Sequence, residues 1–372
     1  MTERKKKPTT KTKAKANSKP AIPLPANGER AQRVQRITAL EALRNSYVIC
    51  YVTSTRQNAD VQMAQDVIRP MYDHLEAIKA DSASPPKIDL FIHSNGGDGT
   101  VPWRLVSLIR EYTDRFGVLV PHRAFSAATL TALGADEILM HPMGVLGPTD
   151  ATVANHFNPI DPSNPARRLG ISVEDVTAYI QLIKEDAGIQ HEDELIQAFN
   201  VLATNVHPLA LGNVKRTMSQ SRMMARKLLE MHMDASNRHK IDEIVDNLTS
   251  KLFFHGHPIN RKEAKEQIGI GTVQDPNERI EKAMWALYLE YEAAMKLSVP
   301  FDAALEFVAD QAAANANGQQ QAVLKTNKNC YIESRFLTHL NKDEYFIQGV
   351  GQPNGAVAVT INYQKRGWTI ES

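Results

Sequence analysis

The chain has 372 residues, of which 42% are hydrophobic and 23% are charged, and its formal net charge is +1. This composition is typical of a globular protein with one large or two modest domains, and no apolar stretch is long enough to span a membrane. Cys50 and Cys330 are too few and too far apart for a disulfide framework or a zinc site, so we expect buried free thiols in a reducing compartment.

Positive charge is concentrated at the N-terminus. The first twenty residues contain eight Lys or Arg and one Glu, so the rest of the chain carries about six net negative charges. Residues 1–28 are predicted to form a disordered basic tail and linker. Such a tail has the charge to contact nucleic acid or an acidic partner, and a solvated tail that aids solubility is the alternative. No apolar signal-peptide segment follows Met1, so we expect a cytoplasmic protein.

Helices and strands alternate from residue 29 to residue 135. Residues 29–44 have the spacing of an amphipathic helix, residues 46–54 give the strongest strand signal, and residues 59–80 are predicted to form a second helix. A buried strand at 88–93, a helix from Val101, and a strand at 118–121 follow. This alternation predicts an α/β domain with right-handed crossovers.

Two turns in this region have the features of an acyl-transfer site. Ser94-Asn95-Gly96-Gly97 lies between the strand at 88–93 and the next helix, where backbone N–H groups are free to face an anion. Ser126 lies near a second strand-to-helix junction, just before an alanine-rich run. A serine next to two such turns suggests a nucleophile with an oxyanion hole, although each turn by itself is typical of an ordinary turn or a helix N-cap.

These segments resemble a known family. Ile-His-Ser-Asn-Gly-Gly at 92–97, the run from Ala-Phe-Ser-Ala-Ala-Thr at 124–129 to Met140, and Gly-Val-Leu-Gly-Pro-Thr-Asp at 144–150 are similar to the Clp-protease/crotonase superfamily. The resemblance is closest to the signal-peptide-peptidase-like serine proteases, and within them to the serine dehydrogenase proteinase family. It covers about residues 35 to 300 and includes His-Pro-Leu-Ala-Leu-Gly at 207–212.

The resemblance implies a site and an activity. Ser126 is the expected nucleophile, and the N–H groups of Gly97 and Ala127 are the expected oxyanion hole, with Gly96 beside them. Asp150 is an accessory candidate that would orient the site or bind a substrate amine. No cofactor is implied, because water can accept the acyl group. The superfamily commonly closes its site against neighbouring subunits, so a homo-oligomer is expected.

The sequence offers more than one candidate for the base that activates Ser126. Clp-type enzymes place a histidine downstream, but here Pro148 to Asp150 occupy that place. His141 ends the intervening strand, where an ordinary loop histidine is the alternative interpretation. The signal-peptide-peptidase group instead uses a lysine, which acts as a base once desolvation lowers its pKa.

Lys184 is the only lysine between Ser126 and Lys215, and is therefore the candidate by elimination. The lysine-bearing relatives would place their base nearer Gln181, one helical turn away on roughly the same face. An exposed partner for Glu185 or Asp186 is the alternative role of Lys184.

The rest of the chain is predicted to be helical up to residue 300, followed by a small β-rich region. We therefore predict a tail at 1–28, a Clp/crotonase-like α/β spiral of ββα-like units with a helical C-terminal half at 29–300, and a mixed C-terminal appendage at 301–372. The predicted activity is that of a serine endopeptidase. The alternatives are a non-proteolytic crotonase-like acyl-thioester enzyme and an inactive oligomeric scaffold.

Overall fold

The computed structural model describes residues 28–82, 87–149, 152–153, 156–250, 256–317, 323–351 and 357–371. The basic tail before Gly28 and the accessory candidate Asp150 lie outside these residues. Within the described ranges, no helix has both the length and the apolar character needed to cross a membrane.

The strands are numbered in chain order. They are β1 (Tyr47–Thr53), β2 (Thr55–Arg56), β3 (Ala59–Asp60), β4 (Ile88–His93), β5 (Phe116–Val120), β6 (Arg123–Ala124), β7 (Glu137–Met140), β8 (Val145–Leu146), β9 (Thr152–Val153), β10 (Ile160–Asp161), β11 (Asn164–Arg168), β12 (Ile171–Ser172), β13 (Ile259–Asn260), β14 (Val273–Gln274), β15 (Lys325–Glu333), β16 (Thr338–Gly351) and β17 (Val357–Glu371).

The α-helices are numbered in the same way. They are α1 (Glu29–Arg44), α2 (Ile68–Asp81), α3 (Val101–Arg110), α4 (Ala127–Leu133), α5 (Val173–Gln181), α6 (Glu192–Asn205), α7 (Pro208–Leu229), α8 (Arg238–Ser250), α9 (Arg261–Glu266), α10 (Glu278–Met295) and α11 (Ala303–Asn317). Short 3₁₀ turns cover Gln65–Val67 and Ala235–Asn237, and a π-helical turn covers Leu182–Asp186.

The main sheet has eight strands in the order β14-β7-β5-β4-β1-β15-β16-β17. From β14 to β1 the strands are parallel, and from β1 to β17 each neighbour is antiparallel. The crossover helices cover both faces, which is why β4 and β5 are buried along their whole length. In β4, Leu90 and Ile92 pack in the core with α2 to α4, whereas Phe91 packs on the other face with α1 and α10.

The predicted α/β fold class is confirmed, and α1 has the predicted bounds. Two regions differ from the expectation. Residues 59–64 do not begin a helix: they form β3 and an extended segment, because their backbone pairs with Ser54 and with the Gly96-Gly97 turn. The three C-terminal strands do not form a sheet of their own, since β15 pairs with β1 and so continues the main sheet.

Candidate active site

The Gly96-Gly97 turn is fixed by two buried hydroxyl groups. The Gly96 N–H donates to Ser94 Oγ at 3.0 Å, and Thr53 Oγ1 donates to the same oxygen at 2.8 Å. Both side chains are almost completely buried, with 0% exposure for Ser94 and 1% for Thr53. Because these hydrogen bonds are shielded from water, they fix the position of the turn relative to the C-terminal end of β4.

The backbone of Met63 fixes the same turn from its outer side. Met63 N donates to Gly96 O at 2.7 Å, and Asp98 N donates to Met63 O at 2.9 Å. Gly97 has a φ of +152° in this arrangement, and a Cβ atom there would collide with the Met63 backbone and lie 2.9 Å from Gln62 Cβ. Glycine is therefore required at position 97 by both space and conformation.

Ser126 stands at the junction between β6 and α4. Its backbone has φ 52° and ψ −115°, a combination that a non-glycine residue rarely adopts and that costs of order 1–3 kcal/mol. The side chain is half-buried. Strain of this kind at a half-exposed serine is characteristic of residues that are held in place for chemistry.

The two turns are in direct contact. Gly96 has a φ of +91°, and a Cβ atom at this position would lie 2.7 Å from Ser126 Cβ and 2.9 Å from the Ala127 nitrogen. In the part of the chain that the structure describes, neither the Gly97 N–H nor the Ala127 N–H donates a hydrogen bond. The structure thus brings Ser126, Gly96, Gly97 and Ala127 together, with two backbone donors left open.

A third turn supports this arrangement from the other side. A Cβ atom on Gly147 would lie 2.8 Å from the ring of Phe125, the residue before Ser126. Thr129 Oγ1 lies 2.7 Å from Ala124 O and accepts the Gly147 N–H at 3.1 Å. The turn at 144–148 is therefore packed against the strand-to-helix junction that carries Ser126.

A group of aromatic and histidine side chains lies beside the two turns. His93 is fully buried, its Nε2 lies 3.0 Å from Thr55 Oγ1, and burial, with His122 and Arg123 adding to it, lowers its pKa to about 3. His122 stacks on Tyr288 of α10, and burial followed by Arg123 lowers its pKa as well. His93 is therefore neutral over the physiological pH range.

Arg123 connects this group to the glycine turn. Its guanidinium donates to Asn95 Oδ1 at 3.0 Å and lies over the Phe125 ring, 5.2 Å from the ring centroid. Asn95 precedes Gly96 and Phe125 precedes Ser126, so Arg123 contacts a residue next to each of the two turns.

His141, which follows β7 and was a candidate base from the sequence, contacts residues other than Ser126. Its ring stacks on Trp285 with centroids 4.9 Å apart, and its Nδ1 accepts the Met143 N–H at 3.1 Å. Burial lowers its pKa. Within the described residues, no hydrogen bond joins His141 to Ser126.

Lys184, the other candidate base, lies on the π-helical turn after α5 and is exposed. It lines an apolar groove of about 380 Å³ with residues of α5 and α6, including Ile180 and Phe199. Among the residues described here, neither the Lys184 amine nor the Ser126 hydroxyl has a hydrogen-bond partner. The single chain therefore does not pair the two groups.

Three supporting residues were not identified from the sequence: Thr53, Met63 and Ser94. Ser94 had one local signal, since a serine two residues before a glycine commonly accepts the glycine N–H in a turn. Thr53 and Met63 contact the turn only through the folded chain. No group of three or more potential metal ligands occurs among the described residues.

A strained serine after a short strand, next to a glycine turn with open N–H groups on a mostly parallel sheet, defines a ClpP-like α/β protein. Residues 24–203, just under half of the chain, match the family model described as "ClpP-like SDH-type serine proteinase". The predicted family resemblance is thereby confirmed.

Two proteins of Methanocaldococcus jannaschii are similar to this chain. The uncharacterized protein MJ0137 is 26% identical over 52% of this chain and 55% of its own length, and the uncharacterized protein MJ1495 is 25% identical over 63% and 70%. The chain thus spans about half the length of the first of these relatives. A solved structure of a ClpP1 mutant from Listeria monocytogenes is 12% identical over 64% of this chain and 98% of its own, with a TM-score of 0.31.

Proposed function

We propose that the protein is a serine endopeptidase of the signal-peptide-peptidase-like type, with Ser126 as its nucleophile. The observation that carries this proposal is the contact between Gly96 and Ser126, in turns where the N–H groups of Gly97 and Ala127 donate no hydrogen bond to the described residues. Such a pair of donors stabilises the oxyanion of a tetrahedral adduct, and removing one donor typically costs about 10²–10³ in rate.

In the proposed reaction, Ser126 Oγ attacks the carbonyl carbon of a peptide bond and its proton passes to the Lys184 amine. The carbonyl oxygen becomes an oxyanion held by Gly97 and Ala127. When the adduct collapses, the C–N bond breaks and Lys184 returns the proton to the leaving amine. Water then attacks the acyl group on Ser126 and releases the acid, and Lys184 again takes and returns the proton.

Lys184 must come within hydrogen-bond reach of Ser126 for this reaction. We propose that assembly of several copies brings a Lys184-bearing segment over the site. The exposed apolar side chains of α6 support this proposal: Ile196 is 56% exposed, Phe199 50% and Val201 58%, and no described residue of α6 is buried. Exposed apolar groups in this number are typical of a protein–protein contact.

Replacing Phe199 by Asp should shift the protein to a smaller species in sedimentation and reduce its peptidase activity together. Leu43→Asp is the matched control, because Leu43 is similarly exposed at 41% but lies on α1. A Phe199→Asp protein of unchanged size would argue against this contact.

The two free, buried cysteines support a reducing compartment, and we propose the cytoplasm.

A fluorophosphonate probe tests the nucleophile directly. The assembled protein should be labelled at Ser126, and Ser126→Ala should abolish both labelling and peptide hydrolysis. Ser219→Ala is the control, since Ser219 is an exposed serine on α7. An assembled protein that is never labelled at Ser126 would overturn the peptidase assignment.

The base is tested by Lys184→Ala, with Lys215→Ala as the control, because Lys215 is also exposed and lies on α7. Loss of the base should lower kcat by about 10²–10⁴, while the control keeps wild-type activity. Equal activity of both variants would show that another group activates Ser126.

A further inference from the structure

A polar cleft of about 480 Å³ lies between the β2–β3 hairpin and one face of β15 to β17. We call it the amide cleft. The residues that define it are Asn58, Asp60, Asn327, Asn329, Asn341 and Asp343. Its volume is in the range of sites that bind small ligands or substrate side chains.

Strand register explains why amides converge here. Asn327 and Asn329 both line the cleft from β15. Asp343 on β16 is directly opposite Asn327, and Asn341 is opposite Cys330, next to a bulge between Lys328 and Cys330. The bulge keeps Asn329 and Asn341 in contact, with Asn329 Nδ2 donating to Asn341 Oδ1 at 3.3 Å.

Each amide uses only one end of its side chain within the protein. Asn58 Nδ2 donates to Phe301 O at 3.1 Å, and Asn327 Oδ1 accepts from Arg56 at 3.1 Å and from Tyr345 at 3.3 Å. Counted over the described residues, the oxygens of Asn58 and Asn329 and the Nδ2 groups of Asn327 and Asn341 have no partner. The cleft therefore offers two acceptors and two donors.

Among the residues that the structure describes, the cleft contains one paired carboxylate and one unpaired carboxylate. Asp343 is paired with Arg366, whose Nε lies 3.1 Å from Asp343 Oδ1. Asp60 is exposed and, in the part of the chain that is described, has no ion-pair partner. A mixed set of donors and acceptors beside one free carboxylate suits an uncharged polar group and disfavours an acidic one.

The cleft is connected to the Gly96-Gly97 turn through the extended segment that follows β3. Residues 58–61 line the cleft, and Met63 two residues later holds Gly96 and Asp98 through its backbone. Three residues span at most about 11 Å, so Asp60 and Met63 cannot be farther apart than that. Gly97 is bridged to Met63 at one strand spacing, about 5 Å, so an extended peptide with its scissile carbonyl at Gly97 needs at most about five residues to reach Asp60.

We propose that the amide cleft is a specificity subsite of the peptidase that receives an uncharged amide side chain of the peptide, Gln or Asn, and rejects Glu and Asp. This inference rests on the proposed peptidase function for the identity of the substrate. The free donors and acceptors bind the side-chain amide at both its oxygen and its nitrogen. Asp60 repels a carboxylate at the same place.

Binding to the Ser126→Ala protein tests the subsite without requiring catalysis. The probes are labelled decapeptide libraries that are identical except for Gln or Glu at one position, measured by fluorescence anisotropy. We expect the Gln peptide to bind about tenfold more tightly than the Glu peptide at one such position. Asn329→Leu and Asn341→Leu should each remove most of this preference, and Asp60→Asn should improve binding of the Glu peptide.

Asn362→Leu is the matched control, because Asn362 lies on β17 outside the cleft, where its Nδ2 donates to Gln348 at 2.8 Å. Each variant must retain the wild-type unfolding temperature. The proposal is overturned if Gln and Glu peptides bind equally at every position, if the control loses the preference as well, or if the cleft variants keep the Gln preference. A Ser126 that is never labelled overturns the peptidase alone, whereas an absent Gln preference overturns the subsite alone.

Discussion

Gly96 lies so close to Ser126 that a Cβ atom on residue 96 would come within 2.7 Å of Ser126 Cβ. Gly96→Ala should therefore push the two turns apart and also strain a φ of +91°. We expect the rate of fluorophosphonate labelling to fall by about 10²–10³, the cost of losing an oxyanion donor. Gly99→Ala is the control, since nothing lies within 4 Å of its Cβ position. A labelling rate equal to wild type would contradict the proposed contact.

Ser94 is expected to position the glycine turn without touching the substrate. Ser94→Ala removes the acceptor of the Gly96 N–H and leaves that donor buried, at a cost of about 1–3 kcal/mol. We expect kcat to fall by about tenfold or more while KM changes little, because the loss concerns the transition state. Ser107→Ala is the comparison, because the buried Ser107 hydroxyl has no partner among the described residues. If both variants showed the same kinetics, Ser94 would have no positioning role.

Two buried histidines should make the protein less stable in acid. Burial lowers the pKa of His74 and of His93 to about 3, whereas an unfolded histidine titrates near 6.5. The unfolded state therefore binds more protons below pH 6.5, so stability is full above that pH and is lost as the pH falls toward 3. Each histidine contributes a slope of up to about 1.4 kcal/mol per pH unit.

Urea unfolding at pH 7, 6 and 5 measures this slope. His93→Asn should have a flatter dependence than wild type, whereas His191→Asn, which replaces an exposed histidine, should not. Parallel curves for wild type and His93→Asn would show that His93 is not kept neutral by the fold.

A buried ion pair ties the first helix to the C-terminal strands. Arg33 Nε lies 2.7 Å from Glu333 Oε2, with 1% and 0% of the two side chains exposed. Glu333 also accepts from Tyr291 at 2.6 Å and Thr338 at 2.7 Å. Glu333→Gln leaves the buried Arg33 charge with only the more distant and partly exposed Glu371 carboxylate, at 3.5 Å, and should lower the free energy of unfolding by about 3–5 kcal/mol.

The matched control for this pair is Glu278→Gln, which breaks an exposed ion pair with Lys282 on α10. Such a pair is worth at most about 1 kcal/mol. Both variants are measured by urea unfolding at pH 7. A loss below about 1 kcal/mol for Glu333→Gln would mean that the α1–β15 contact does not depend on this charge pair.

Local sequence was sufficient for the features that depend on neighbouring residues. The strand before Ser94, the glycines of the turn and the position of Ser126 before α4 were predicted correctly. Each of these features depends on consecutive residues. A mainly apolar run predicts a strand buried on both faces, glycine allows a positive φ, and small residues start a helix. Even α1 was predicted with its bounds at Glu29 and Arg44.

Residues 59–64 show where local pattern failed. Their composition allowed a helix, but their backbone groups found better partners in Ser54 and the Gly96-Gly97 turn, which is more than thirty residues away. The C-terminal strands are a second case, because β1 had one unpaired edge and β15 filled it from almost three hundred residues away. Hydrogen bonds over such separations depend on which edges the rest of the fold leaves open.

The sequence by itself determined the nucleophile candidate and the two turns that could hold an oxyanion. Only the tertiary structure decided what supports them: the Thr53 and Ser94 hydroxyls, the Met63 backbone and the amides that converge on β15 and β16. The physical reason is that a turn's conformation is set by its own residues, whereas the partners of its buried polar groups are chosen by packing.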